Sequence, residues 1–284
     1  MRFLTYETDS GPQLGMLEGD IVRPVAARDM LGLIDAGPAG MDQARASDGA
    51  PLRLADLKLL APIPSPRRNM LCVGLNYLEH AKEGARARGV PFVAPPIPVF
   101  FTKATTAINS PYGDIPFDAN VSVQIDWEVE LAFIIGRGGK NIKPEEAMSH
   151  VFGYTVVNDV SARDVQVAHG QQFFKGKSLD GACPMGPWIV TADEAPDPNA
   201  LGLRCRVNGV TKQDSNTSEF IFKIPELIDW LSRGMTLLPG DVVCTGTPSG
   251  VGLGRTPPEY LKPGDLVESE VDGIGTIRNR VVAV

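Results

Sequence analysis

Thirteen residues constrain this chain more than any others: Gln124-Ile125-Asp126-Trp127-Glu128-Val129-Glu130-Leu131-Ala132-Phe133-Ile134-Ile135-Gly136. The run of Val, Leu, Phe and Ile that ends at a glycine reads as a buried β-strand. Three carboxylates enter it in alternation with Trp127 and Val129. Successive strand side chains point to opposite faces, so Asp126, Glu128 and Glu130 share one face, roughly 6.5–7 Å apart along it. Acidic residues are almost never buried unpaired, because uncompensated like charge in a poorly solvated place is costly. Either something positive covers this face, and a divalent cation fits best, or the strand end is exposed and its acids are merely solvated.

The rest of the composition narrows the class of partner. At 284 residues the chain has room for one large domain or two modest ones. Lys and Arg number 27 against 34 Asp and Glu, a net charge of −7, which argues against a nucleic-acid backbone or an anionic membrane as the main partner. Cys72, Cys183, Cys205 and Cys244 are scattered without CxxC spacing among apolar or small neighbours, as buried free thiols would be. The segment Met1–Asp9 contains no apolar core of a secretory signal, and no apolar run approaches membrane-spanning length. A cytoplasmic location is expected.

Residues 1–60 read as a small β-rich domain, with short strands at Arg2–Tyr6, Gln13–Leu17 and Asp20–Val25 and a helix over Asp29–Ala36. The Pro-rich stretch beginning Ala61-Pro62-Ile63-Pro64-Ser65-Pro66 makes 61–67 a stiff linker, leaving 68–284 as the larger domain. In it, Asn69–Gly74 is strand-like and runs into a helical start where His80 and Glu83, three apart, share a face. The Gly- and Pro-rich segment 84–96 beside this polar pair suits a mobile lid. Lys103 ends another buried strand. Asp159 ends the strand Phe152–Asp159, a usual place for a ligand or catalytic group, although a helix cap would also explain it. Ser161-x-x-Asp164 has the spacing of a capping box. Lys175 and Lys177 sit on a Gly-containing loop, and Asp241–Gly252 is a strand entering a glycine-rich loop whose N–H groups suit an anion. His150 and His169 read as surface or helix-end residues, Trp127 and Trp188 as packing. Many short strands and few helices point to a β-rich barrel or sandwich.

Six motifs then fall in one order: Gly74-Leu75-Asn76-Tyr77-x-x-His80-Ala81, Asp126-Trp127-Glu128-Val129-Glu130-Leu131, Asn158–Gln166, Gly176-Lys177-Ser178-x-Asp180, Cys183-Pro184-x-Gly186-Pro187 and Thr245–Gly252. From about residue 68 to the C-terminus the chain strongly resembles the fumarylacetoacetate hydrolase family, in its single-domain branch. The resemblance implies an α+β, mostly β fold, a mixed β-roll with a barrel-like sandwich, behind a small N-terminal β-rich domain. It implies a homodimer that binds Mg²⁺, or Mn²⁺ or Ca²⁺ in its place. Carried over residue by residue, Glu128, Glu130 and Asp159 hold the metal and Asp126 stays outside direct coordination. His80 and Glu83 form a lid dyad and Lys177 a catalytic cation. Gln166, Thr247, Gly246, Tyr77 and Arg163 bind substrate.

Chemistry gives this set a task. Three carboxylates and a divalent cation leave a local charge of about −1, which repels an anionic keto acid; unit charges 4 Å apart interact by about 4 kcal/mol at an effective dielectric of 20. Lys177, with Arg163, is the compensation. A 2-oxo acid that chelates the metal gains stabilisation of its enolate, and a His80–Glu83 pair can activate water. The first expectation is therefore a metal-dependent hydrolase cleaving a C–C bond in a β-diketo acid of acylpyruvate or fumarylpyruvate type. Oxaloacetate decarboxylation or keto–enol tautomerisation, which pass through the same enolate, is the alternative, and a catalytically silent binding protein a third. The acyl group is not legible in residues 84–96.

Overall fold

The strand Val129–Ile135 sits inside the largest sheet with all seven residues buried. Alternation sends Val129, Leu131, Phe133 and Ile135 into one apolar cluster with Val73, Ile228 and Ile277. Ala132 and Ile134 enter a second, with Phe3, Leu14, Met30 and Met185. A strand covered on both faces needs no polar alternation, which is why its sequence beyond Glu130 is an unbroken apolar run, Leu131–Ile135. The computed structural model describes residues 1–284 apart from Arg88, Gln171 and Pro196.

Among the described residues the principal sheet has twelve strands and is mixed. Its path runs Leu52–Arg53, Ile21–Pro24, Gly11–Glu18, Arg2–Thr8, Cys183–Thr191, Val151–Asn158, Val129–Ile135, Val242–Cys244, Met70–Gly74 and Val99–Lys103, with two short strands attached off it. A five-stranded sheet orders Val210–Asn216, Gly202–Val207, Leu266–Val271, Gly275–Ala283 and Ile115–Phe117, and packs over the other face of the same core. The architecture is mostly β with open mixed sheets; neither closes into a barrel. The residues before the proline-rich stretch share the principal sheet, since Arg2 and Phe3 pair with Val190 and Ile189. Ala61 and Ile63 of that stretch are buried.

Several local expectations are corrected. The acidic stretch is not one strand: Ile125–Asp126 pairs with Ser161–Ala162, and the chain leaves that ribbon at Trp127-Glu128 before entering the principal sheet at Val129. The helix expected over Asp29–Ala36 holds: Asp29 caps it and Gly37, at φ +55 and ψ −137, breaks it, and what was not expected is a second helical segment that follows to Arg45. The Ser161–Asp164 capping box does not form. The helix starts at Arg163, Ser161 Oγ donates to the Asp159 carbonyl, and Asp164 Oδ1 accepts from Ser122 Oγ. His150 is at a helix end but buried, held by Arg137, whereas His169 is exposed. The four cysteines are free and buried. Among the described residues no helix is long and apolar enough to cross a membrane.

Candidate active site

Five elements converge on one cavity of about 380 Å³: the acidic strand, the helix Leu78–Ala87, the helices Arg163–Ala168 and Phe173–Lys177, and the loop after Val242–Cys244. Glu128 and Glu130 line it, and their oxygens lie within 4.8 Å of one another and of an Asp159 oxygen; all three residues are buried. The kink at Trp127-Glu128 separates these three from Asp126, which the sequence had put on their face. Asp126 turns to the loop, accepting from Gly252 N at 2.7 Å, Leu253 N at 3.0 Å and Arg163 Nε at 2.8 Å.

Three buried cations balance the acids. Lys177 Nζ donates to Glu128 Oε2 at 2.7 Å and to Asp159 Oδ2 at 2.8 Å. Lys103, fully buried, donates to the other Asp159 oxygen at 2.6 Å and to the Val160 carbonyl at 3.1 Å. Arg163 Nη2 reaches Glu128 Oε1 at 2.7 Å. Burial alone would raise the Glu128 carboxyl, but Lys177 and Arg163 outweigh it and hold it down at about 2. Glu130 goes the other way. Burial raises it, Asp159 and Glu128 raise it further, and Gly246 N at 2.8 Å is the hydrogen bond it accepts. Lys177 and Arg163 are raised, since their acid partners overcome the burial that opposes their charge.

These residues fit a divalent cation. Three hard carboxylate oxygens are gathered in one place, and Glu130 is a buried acid beside two others, so a cation supplies the charge its ionisation lacks. Four carboxylates against three cations leave one negative charge, which a divalent ion turns into one positive. Against the three-acid estimate, Lys177 and Arg163 supply the two positive charges that make the site favourable to an anionic ligand, while Lys103 offsets the fourth acid, Asp126.

On the cavity wall, His80 Nδ1 lies 3.3 Å from Glu83 Oε2, and the Glu83 carboxylate accepts Gly250 N at 3.1 and 3.2 Å. Gln166 and Thr247 also line the cavity. Gln166 accepts from Arg163 at 3.4 Å, while Thr247 Oγ1 donates to the Val129 carbonyl and accepts from Gln213 Nε2 at 2.8 Å. Lys177 and Arg163 are on the wall too, but each is engaged with acids and is not a free anchor. Two residues expected to contact substrate do not line this cavity. Gly246 acts through its N–H on Glu130, in a backbone at φ +95 that favours glycine. Tyr77 is turned into the core, 1% exposed, edge-on to Phe220 with ring centroids 4.9 Å apart, and does not line the cavity. Of the lid segment, Gly84 and Ala87 line the cavity as part of the helix Leu78–Ala87, and residue 88 lies outside the described residues.

Sequence reading missed four supports. A lysine closing an apolar strand is the one signal that pointed to Lys103. Asn158 Oδ1 accepts Glu128 N at 2.9 Å, and Asn76 Nδ2 donates to the Thr245 carbonyl at 2.9 Å. Gln213 accepts Val129 N at 3.0 Å and donates to the Pro248 carbonyl at 2.8 Å. It sits in a polar strand that reads as solvated.

Known proteins share this chain's pattern. The fumarylacetoacetate (FAA) hydrolase C-terminal family matches residues 69–282, and the Rv2993c-like N-terminal family matches residues 1–62. A Xenopus laevis protein, "Oxaloacetate tautomerase fahd2, mitochondrial", is 44% identical over 99% of this chain and 90% of its own. The Bacillus subtilis "Oxaloacetate tautomerase YisK" is 47% identical over 80% of this chain and 74% of its own. Among solved structures, the fumarylacetoacetate hydrolase of Exiguobacterium antarcticum superposes with a TM-score of 0.86 at 41% identity, covering 100% of both chains.

Proposed function

The chain belongs to the fumarylacetoacetate hydrolase family, and from that premise we propose that it interconverts the keto and enol forms of oxaloacetate or a closely similar 2-oxo acid. The observation that carries this reading is the His80–Glu83 pair facing, across one cavity, Glu128 and Glu130 of a three-carboxylate cluster that Asp159 completes from behind. A tautomerisation removes a proton from C3 and places one on the keto oxygen, with no carbon–carbon bond broken and no water consumed. Relatives called oxaloacetate tautomerases support this alternative better than the C–C bond hydrolase that the sequence put first.

Each residue then has a task. Glu128, Glu130 and Asp159 would hold the divalent cation, with Mg²⁺ the first choice for an all-oxygen set. When bound, that ion supplies Lewis-acid stabilisation of negative charge developing on the substrate's keto oxygen. Lys177 and Arg163 keep Glu128 ionised and offset the charge of an incoming anion. Glu83 holds Nδ1 of His80, leaving Nε2 as the nitrogen that takes the C3 proton and delivers it to the keto oxygen, and that runs the same transfer backwards from the enol. Apolar side chains, Leu75, Phe101, Phe173 and Leu253 among them, exclude water and so strengthen these electrostatic effects. Hydrolysis of an acylpyruvate is the second reading, favoured by the same dyad, which is equally suited to activating water.

The test is to follow decay of oxaloacetate enol by its ultraviolet absorbance with Mg²⁺, then after chelation, and to assay pyruvate release from acetylpyruvate in parallel. Metal-dependent acceleration of the enol decay is expected. A rate equal to the uncatalysed background, with pyruvate released from acetylpyruvate, would reverse the order of the two readings. The family habit of a homodimer is carried forward as a proposal, to be checked by sedimentation.

A further inference from the structure

The helix bearing His80 and the glycine-rich loop meet at Gly254. A Cβ placed on this glycine would come within 3.0 Å of Glu83 Cγ, Cδ and Oε1, closer than real Cβ atoms approach anything, and these are the three atoms nearest to it. Gly246 and Gly250 in the same loop have φ of +95 and +102, where glycine is favoured by the backbone itself. Gly254 has no such φ, so its backbone accepts an L side chain. What it lacks room for is a methyl group, and the atoms filling that room belong to one carboxylate. That carboxylate is the one that reaches Gly250 N and His80 Nδ1.

We infer that Gly254 is a positioning residue: its missing side chain leaves the space in which Glu83 docks on the loop, and through Glu83 it fixes the orientation of His80. The inference rests on the reading above in giving His80 the proton. The contact itself does not depend on that reading. An alanine at 254 must displace something, and the end of a flexible side chain yields before backbone does. Glu83 would leave Gly250 N, and His80 would lose the group that holds Nδ1. The loop's other links, Gly246 to Glu130 and Gly252 to Asp126, do not involve Glu83 and stay in place.

The test is a double-mutant cycle of Gly254→Ala and Glu83→Ala on the Mg²⁺-loaded enzyme, read in kcat, KM and thermal midpoint. Gly254→Ala alone should lower kcat roughly 10–100-fold, the scale of a misplaced catalytic group, with KM within about twofold and a lowered midpoint. In the Glu83→Ala background it should change neither kcat nor midpoint, because the clashing atoms are gone and effects through one group do not add. If Gly254→Ala does not fold, the double variant still should. Wild-type kcat in Gly254→Ala, equal losses in both backgrounds, or a double variant that fails to fold where Glu83→Ala folds would each overturn the inference. Should the wild-type protein not tautomerise oxaloacetate, the proposed function fails, while rescue of the midpoint in the double variant still supports the Gly254–Glu83 contact.

Discussion

Lys103 and Lys177 each take one oxygen of Asp159, and only Lys177 reaches the cavity. Lys103 is thus a permanent counter-charge with no exposed surface. Removing one partner of a buried pair leaves an uncompensated charge and costs about 3–5 kcal/mol. Lys103→Met should fall near 3 kcal/mol, because Lys177 still pairs with Asp159. Urea denaturation checks this, and a loss under 1 kcal/mol would mean that Lys177 alone compensates Asp159. The acids and the dyad separate by a different measurement. Glu128→Ala should abolish both turnover and Mg²⁺-dependent binding of oxalate, a mimic of a keto-acid enolate. His80→Ala should lower turnover roughly 10²–10⁴-fold, the usual range for a positioned acid–base group. It should still bind oxalate in calorimetry, since His80 contacts Glu83 and none of the three clustered acids. Near-full turnover in His80→Ala would remove the proton-transfer role from it.

The loop after Val242–Cys244 works as a unit. Its N–H groups hold carboxylates of three different segments: Gly246 on Glu130, Gly250 on Glu83, and Gly252 and Leu253 on Asp126. Gln213, reaching across from the five-stranded sheet, pins it by Thr247 and the Pro248 carbonyl while also accepting Val129 N. Gln213→Leu keeps the bulk and deletes these bonds, so a buried N–H and a buried carbonyl lose their partners at about 1–3 kcal/mol each. We expect a loss of about 2–6 kcal/mol on that basis, accompanied by faster amide exchange through residues 245–253. Unchanged exchange there would show that the loop is held by its carboxylates alone. The pieces of this element were readable in the sequence as a strand and a glycine run, but its ligands were not: it binds the protein's own acids.

At the scale of the molecule, the N-terminal strands and the larger part share one sheet and one apolar cluster, in which Phe3, Leu14 and Met30 meet Ile134 and Met185. Deleting residues 1–62 uncovers that cluster and the edge of Cys183–Thr191. The shortened chain should be insoluble or lack a cooperative melt, whereas an unchanged thermal midpoint would make 68–284 an independent domain. Alkaline pH supplies a second global test. Burial pushes the Cys183 and Cys205 thiols above their ordinary range. The folded state therefore keeps protons that the unfolded chain releases near pH 8.5–9, so stability is full below that range and falls above it. The slope is about 1.4 kcal/mol per thiol per pH unit. The urea midpoint should drop between pH 8 and pH 10, and drop less in Cys205→Val; equal drops would place the titration elsewhere.

The sequence by itself determined the central strand, the acids at its entrance, the His80–Glu83 spacing and the family, because each is a local pattern of residue type at fixed offsets. Alternation alone put Asp126 with Glu128 and Glu130. The family motifs already put Asp159 in its place, and the tertiary structure supplies the reason: the chain changes partner strands between Asp126 and Val129, and the alternation does not survive the change. Tertiary structure likewise decided the roles of Lys103, Gln213 and Tyr77. Whether a lysine is a surface charge or a buried counter-ion, or a tyrosine a ligand or a core ring, depends on what packs against it from 56 residues away for Lys103 and Asp159, or 84 for Gln213 and Val129. No local pattern encodes such a separation.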